Sequence, residues 1–231
     1  AGLEELDAHV IGIVEIENNG YGSDGAIHDL TKALNTRIGD HTYEFAAPAS
    51  DRLGKGEITV GILYRPEFVE PVGTAVAPVD EDAFLDHNRM PLLQTFRERS
   101  SGEVFAVVVN HFKSKGRGAS GRENEDQHDG QGASNATRVE AATALLHWLA
   151  EDPANNQDAD VLIIGDLNAQ TREDPVAVFK DAGYVDLLAE HAENPYTYIH
   201  YGEIGYLDHA LASRSLAAQV TGADTWHVNA D

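Results

Sequence analysis

The sequence contains no cysteine, so it carries neither a disulfide framework nor a thiolate to serve as metal ligand or nucleophile. No apolar run reaches the ~18 to 20 residues that a bilayer-crossing helix needs. The first residues do not pair a charged segment with an apolar one; the expectation is a chain that does not span a membrane, any secretory leader lying outside it. Positive charge is also scarce: 16 Lys plus Arg stand against 39 Asp plus Glu, a formal charge of −23. Such a surface repels polyanions, and composition by itself counts against a nucleic-acid partner. Only five of the 16 cations are lysine. An acid-rich, lysine-poor surface stays soluble in strong salt, which points to a halophilic source, with an acidic mesophile protein as the alternative.

What remains is ordinary globular material: 231 residues, 42% hydrophobic and 24% charged. That balance excludes disordered, collagen-like and coiled-coil chains, and the length suits one domain of α/β or all-β type. Residues 7–17 (DAHVIGIVEIE), Glu57–Arg65, Val104–Val109, Asp160–Gly165 and Tyr206–Ala212 read as strands, and Leu92–Arg97 leads into the third of them. Leu30, Ala33, Leu34 and Ile38 follow helical spacing up to a stop at Gly39. Val139, Ala142, Leu145, Leu146 and Leu149 trace a second helix, with Ser134 or Asn135 placed to cap it. Asp174 as cap, Pro175 in the first turn and Gly183 as stop bracket a third. Lys113 to Ser134 is polar and glycine-rich, a long surface loop. Strands and helices therefore mix in one layered α/β domain.

Polar residues at apolar strand ends are the informative part. In VVVNHFKSKG, alternation places His111 on the face of Val107 and Val109, although a lone histidine there is more often a hydrogen-bonded rim residue than a catalytic one. In VLIIGDLNA, Asp166 and Asn168 are two apart where the backbone leaves the sheet. A carboxylate and an amide converging there suit a hard divalent cation with its water, or a phosphate oxygen; alone, the pair is equally a turn or a cap. Asp208 sits amid Leu207, Ala210 and Leu211, where a carboxylate needs a partner, which an arginine would also supply. By alternation Glu15 shares a face with Ile11, Ile13 and Glu17, so either glutamate fits as a ligand. Four such residues at separate strand ends make a coincidence of unrelated roles improbable, since ligands gather at the carboxyl ends of strands in open α/β sheets.

The segments EIENNG, RMPLLQTF, VNHFKSKG, NATRVEAA, GDLNAQ and GYLDHALAS, in this order over nearly the whole chain, resemble the endonuclease/exonuclease/phosphatase superfamily to which pancreatic deoxyribonuclease belongs. The nearest likeness is to its bacterial secreted extracellular nucleases. The resemblance implies a four-layer α/β/β/α sandwich of two packed mixed sheets flanked by helices, and hydrolysis of a phosphodiester by metal-activated water. It implies Glu15 as the metal-binding acid, deciding against Glu17 by analogy alone, with Asp166 and Asn168 beside it as ligands and near the nucleophile. His111 matches the catalytic histidine, Asp208 a further active-site acid, and Arg89 an arginine that approaches substrate phosphate. Asp166 or Asp208 would orient or deprotonate the water, and His111 would give a proton or hydrogen bond to a phosphate oxygen. Asn135 and Arg138 fall in a segment recurring in the secreted nucleases, with substrate contact and loop anchoring both open; His209 reads as framework. The implied cofactor is Mg²⁺ or Mn²⁺, with Ca²⁺ also compatible, the implied substrate DNA and perhaps RNA by extension, and the implied location extracellular.

Lys113, Lys115, Arg117 and Arg122 fall within ten acid-free residues directly after His111. This stripe would take phosphates on an otherwise anionic molecule, or else is simply a solvated loop. Strong salt shortens the Debye length to about 3 Å at 1 M, weakening repulsion and attraction alike. The family's opening strand, with an Asn near the metal, and its closing Asp-His strand have no counterpart, so residues 1–231 read as one such domain lacking both. The expectation is the core of a longer enzyme, or a truncated chain completed by another. In GQGASNATR, Ala133 and Ser134 stand where relatives often carry Cys, so their disulfide is absent. Two rivals accompany the nuclease reading: a phosphatase or phospholipase of the sphingomyelinase or inositol-phosphate type, and a non-catalytic binding protein on the same fold. An exposed aromatic hairpin would favour the phospholipase, and none is visible in the sequence.

Overall fold

The structure is a computed structural model that describes residues 2–116, 118–155, 160–200 and 202–227. Its strands are β1 (Val10–Glu17), β2 (Glu44–Phe45), β3 (Ile58–Tyr64), β4 (Val69–Val76), β5 (Leu92–Glu98), β6 (Val104–His111), β7 (Val161–Asp166), β8 (Val185–Asp186), β9 (Tyr198–His200), β10 (Glu203–Gly205) and β11 (Asp208–Ala212). Its helices are α1 (Gly2–Leu6), α2 (Ala26–Ile38), α3 (Asn135–Ala150), α4 (Asp174–Asp181), α5 (Leu187–His191) and α6 (Arg214–Ala217). The small sheet runs β1-β3-β2 and is antiparallel; the six-stranded sheet runs β4-β5-β6-β7-β11-β8 and is mixed, with β6 and β7 parallel.

These elements stack in four layers. Helix α2 covers the small sheet, its Ile27 and Leu34 sharing an apolar cluster with Ile11, Tyr43 and Leu63. The two sheets face each other closely at Gly12 of β1, where an added Cβ would stand 2.6 Å from Ile164 Cδ1 and 3.0 Å from Val109 Cγ2. Across the large sheet, Ala142 and Leu145 of α3 and Val176 and Phe179 of α4 complete the main core. The run of β-branched residues in β6 is explained by this sandwich, since both faces of a central strand are covered. Among the described residues no helix is long and apolar enough to cross a membrane.

Several local expectations are corrected by what the side chains do. Ser134 is the N-cap of α3 but makes no cap bond; it is left-handed at φ 62, and its hydroxyl donates to the Gly116 carbonyl at 3.0 Å. Asn124 Oδ1 supplies the cap instead, accepting from the Thr137 amide at 3.1 Å and its hydroxyl at 3.0 Å. Helix α4 is preceded by Glu173, with Asp174 already inside it. Strand β4 went unread because Pro71 and Gly73 interrupt its pattern; it is the sheet's outermost strand, where a missing N–H leaves no inner partner unbonded. Strands β9 and β10 form a separate hairpin in which Ile199 stands opposite Ile204. Its residues Tyr198, Ile199 and Ile204 are exposed by 42%, 38% and 62%, so an exposed hairpin with an aromatic residue exists after all. Three-residue strands broken by a glycine turn lie below what alternation can detect.

Candidate active site

Strand register assembles the site. His111, the last residue of β6, lies opposite Asp166, the last of β7, and Asp166 lies opposite Asp208, the first of β11. The three side chains therefore form a row across three adjacent strands at one end of the large sheet. Val109 and Ile164, two residues earlier on their strands, meet Gly12 of the small sheet. Period-two alternation then turns His111 and Asp166 toward the gap between the sheets. Nε2 of His111 is 3.7 Å from Asp166 Oδ2.

Glu15 reaches this row from the small sheet, by a route alternation does not foresee. The β1–β3 register shifts between Ile13 and Ile16, and Glu15 adopts a left-handed conformation at φ 62. Ile16 rejoins the α2 face with Ile11 and Ile13, while Glu15 leaves it. The shared face of Ile11, Ile13, Glu15 and Glu17 is thus broken by a β-bulge, a device that re-aims side chains beside active sites. The charge of Glu15 is felt at both His111 and Asp166.

The electrostatics of the row follow from burial and crowding of like charges. Asp166 is pushed from 3.8 to about 7, first by burial and then by Asp208 and Glu15, against the Asn168 amide and Arg138, which oppose the rise. His111, 5% exposed, is pushed down by burial and by Arg89, with Glu15 and Asp208 working the other way. That shift favours the neutral ring, and its Nδ1 has no hydrogen-bond partner among the described residues. Arg89 stands beside it, its amide bonded to the His111 carbonyl at 3.0 Å.

Asn168 is part of the same construction. It sits left-handed at φ 49; its amide donates to Asp166 Oδ1 at 2.7 Å, and its Nδ2 to Asp166 Oδ2 at 3.2 Å and the Phe112 carbonyl at 3.1 Å. Behind the turn, buried His209 donates through Nε2 to the Ala169 carbonyl at 2.7 Å, which bears out the framework reading. Gly165 makes the close approach of β7 to β6 possible: at φ 120, an added Cβ would lie 2.1 Å from the Asn110 carbonyl oxygen. Gly165→Ala is expected to destabilise the protein by about 2 to 4 kcal/mol, read as a lower urea midpoint. Gly102→Ala, at φ 81 with nothing within 4 Å, is the control for backbone strain alone, and equal losses in both variants would contradict the crowding argument.

The other candidates lie away from the row or are already engaged. Lys115 is ion-paired with Glu173. The Lys113 ammonium is folded onto Ser114 and the Gly116 carbonyl. Arg117 lies outside the described residues, and Arg122 is exposed on a short 3-10 turn. An acid-free stretch of sequence therefore meets an acid at the N-cap of α4, and among the described residues of the stripe Lys113 and Lys115 are engaged while Arg122 is exposed. Arg138 is fully buried and gives its hydrogen bonds to the carbonyls of Lys113, Ala133 and Gln131. Asn135 Nδ2 donates to Asp174 at 3.0 Å. Both side chains anchor the loop, one of the two roles the sequence left open.

Three contributors were missed. Asn18 holds the loop at residues 53–56 through the Leu53 and Gly56 carbonyls at 2.9 Å each. Asn88 accepts the Lys113 amide at 2.8 Å, and Asp186, opposite Leu211 of β11, accepts from Thr171 and Tyr206 at 2.7 and 2.9 Å. Only a buried asparagine or aspartate within an apolar context signals such roles, and that is legible after the fold is known. Among the described residues, no group of three or more His, Asp or Glu side chains is arranged closely enough to hold an ion by itself. The donor chemistry nonetheless fits a hard cation: Glu15 and Asp208 both crowd Asp166 with like charge, and a dication among oxygen donors would offset that repulsion.

A model described as the Endonuclease/Exonuclease/phosphatase family matches residues 2–229. A search of curated proteins finds no match. Among solved structures, the chain is similar to an endonuclease/exonuclease/phosphatase from Bacteroides vulgatus at 13% identity, with 92% of this chain and 76% of that one covered and a TM-score of 0.63. It is similar to a mannosyl-6-phosphatase of Bacteroides thetaiotaomicron at 16% identity, covering 93% and 74%, TM-score 0.60. It is also similar to D. rerio TDP2 complexed with single strand DNA product, at 17% identity, covering 93% and 75%, TM-score 0.58. At such identities these likenesses carry the fold.

Proposed function

The chain belongs to the endonuclease/exonuclease/phosphatase family, and from that premise we propose that it is a divalent-metal-dependent phosphodiesterase acting on DNA, and on RNA by the same chemistry. The observation that carries the reading is the row His111, Asp166, Asp208 with Glu15 facing it from the other sheet. Glu15, Asp166 and Asn168 would hold Mg²⁺ or Mn²⁺. When bound, the ion polarises the phosphate and neutralises charge that builds in the transition state. Asp166 or Asp208, adjacent on neighbouring strands, would orient the attacking water or take its proton. His111, neutral, donates a hydrogen bond to a phosphate oxygen, and Asn168 fixes both carboxylate oxygens of Asp166 in orientation. Action in concentrated salt is part of the proposal, supported by the charge of −23 and the shortage of lysine; an extracellular site of action rests on the likeness to secreted nucleases alone.

The hairpin favours a second reading. Its exposed Tyr198, Ile199 and Ile204 adjoin β11, and Thr197 at its base accepts from the Leu207 and Asp208 amides at 3.2 and 3.3 Å. An apolar projection beside the catalytic row is what a phospholipase would use at a lipid surface. One assay separates the two. Supercoiled plasmid incubated with Mg²⁺ or Mn²⁺ is expected to be nicked, with nicking abolished by EDTA. Intact plasmid together with phosphate-headgroup release from lipid vesicles would overturn the nuclease reading in favour of the second, and binding without cleavage of either substrate would overturn both.

A further inference from the structure

A cavity of about 640 Å³ lies between one stripe of α2 and residues 40–45, the chain that leads into β2. None of its lining residues belongs to the catalytic row. His28, Thr31, Lys32 and Asn35 form the helical side, recurring at the spacing that puts side chains on one face. The floor is aromatic, made by buried Tyr43 and half-buried Phe45. Asn35 ties the two sides together: its Nδ2 donates to the Tyr43 carbonyl and its Oδ1 accepts the Tyr43 amide, both at 2.8 Å. The Tyr43 hydroxyl donates in turn to the Ala8 carbonyl at 2.6 Å, so the walls are fixed before any ligand arrives.

Three features say what fits there. Phe45 stacks with Tyr21 at 6.4 Å and meets His28 edge-on at 6.3 Å, so a planar ring entering the cavity joins an aromatic group already assembled. Nδ1 of His28 is buried without a hydrogen-bond partner among the described residues. Asp29 Oδ1 stands 3.9 Å from it, beyond hydrogen-bond reach, and a polar atom of a ligand would meet that need. At the rim, Lys32 and Asp40 are both exposed, line the same cavity and form no ion pair with each other. A cation and an anion held apart on one rim complement a molecule that carries both signs. Glu44, which also lines the cavity, accepts from the Tyr64 hydroxyl at 2.7 Å. The volume lies within the roughly 300 to 1,000 Å³ of small-molecule sites. We infer that this cavity binds a free aromatic α-amino acid, its ring against Phe45, its carboxylate toward Lys32 and its ammonium toward Asp40. The inference is independent of the phosphodiesterase reading. Helix α2 packs through Ile27 and Leu34 on Ile11 of β1, the strand that carries Glu15, so an occupant adds to the stability of that sheet.

The test is calorimetric binding to the full chain with tryptophan as probe, beside tryptamine, indole-3-acetate and glycine, which lack in turn the carboxylate, the ammonium and the ring. Tryptophan is expected to bind about three- to fivefold more tightly than either analogue of single charge, the worth of an exposed ion pair. Over glycine the preference is expected to be at least about tenfold. Lys32→Gln should remove the preference over tryptamine alone, and Asp40→Asn the preference over indole-3-acetate alone; both residues are exposed, so neither change burdens folding. Thr36→Trp, at an exposed position that lines the cavity, should melt as the parent does without ligand and lose tryptophan binding. Saturating tryptophan should raise the melting temperature of the parent and leave that of Thr36→Trp unmoved. Absence of tryptophan binding, glycine bound as tightly as tryptophan, equal binding of all three indoles, or binding that survives Thr36→Trp would overturn the assignment. A chain that nicks plasmid without binding tryptophan keeps the reaction and loses this site; one that binds tryptophan and nicks nothing does the reverse.

Discussion

Replacing His111 by asparagine is expected to lower the rate of phosphodiester hydrolysis by about 10² to 10⁴-fold, the usual worth of a positioned acid–base or hydrogen-bonding group. The effect should fall on kcat with little change in KM, because the side chain acts on a phosphate oxygen. The protein should remain folded, since among the described residues His111 Nδ1 bonds to nothing whose loss would leave an orphan. The pH profile tests the same group. Burial and Arg89 push His111 below its ordinary 6.5, so the neutral ring is retained through neutrality and its contribution fades only on the acid side of that value. A His111→Asn enzyme within threefold of the parent, measured by steady-state nicking, would remove histidine from the mechanism.

Asp166→Asn is expected to have two opposite effects, no detectable turnover and a more stable metal-free protein at pH 8. The sign follows from proton linkage. The carboxyl is raised from 3.8 to about 7 on folding, so its favourable protonated form is fully present below pH 3.8 and is lost as pH rises through 7. The difference is worth up to about 4 kcal/mol at 1.36 kcal/mol per tenfold change in proton affinity; residual solvent contact and a mismatched bond to Asn168 reduce it. Thermal melts of parent and variant from pH 4 to pH 8 should therefore diverge as pH rises, with the variant melting higher at the alkaline end. Added Mg²⁺ or Mn²⁺ should restore the parent and leave the variant unmoved. Parallel melting curves across that range would contradict the crowding of Asp166 by Asp208 and Glu15.

Periodicity alone located β6, β7, β11 and the helices α2 and α3, because long apolar runs and amphipathic spacing are governed by local burial. It also placed His111 on its observed face. What it could not supply was the bulge at Glu15: a left-handed residue within a strand is decided by how two sheets meet, and simple alternation pointed this side chain the wrong way. Family likeness selected Glu15 over Glu17 for a reason the bare pattern did not contain. Arg138 and Lys115 show the complementary gap. Their charge is plain in the sequence, while the carbonyls and the Glu173 carboxylate that engage them come from other parts of the chain.

Glu15 comes from one sheet and His111, Asp166 and Asp208 from the other, joined across an interface that no disulfide staples, the backbone passing from β3 to β4 at residues 65–68. Catalysis is then a gauge of docking between two slabs. A swollen intermediate, with each slab still internally paired but the pair slid apart by a fraction of a strand spacing, would retain its far-ultraviolet signature and be inert. Turnover would be the first property lost on mild denaturation and the last regained on refolding.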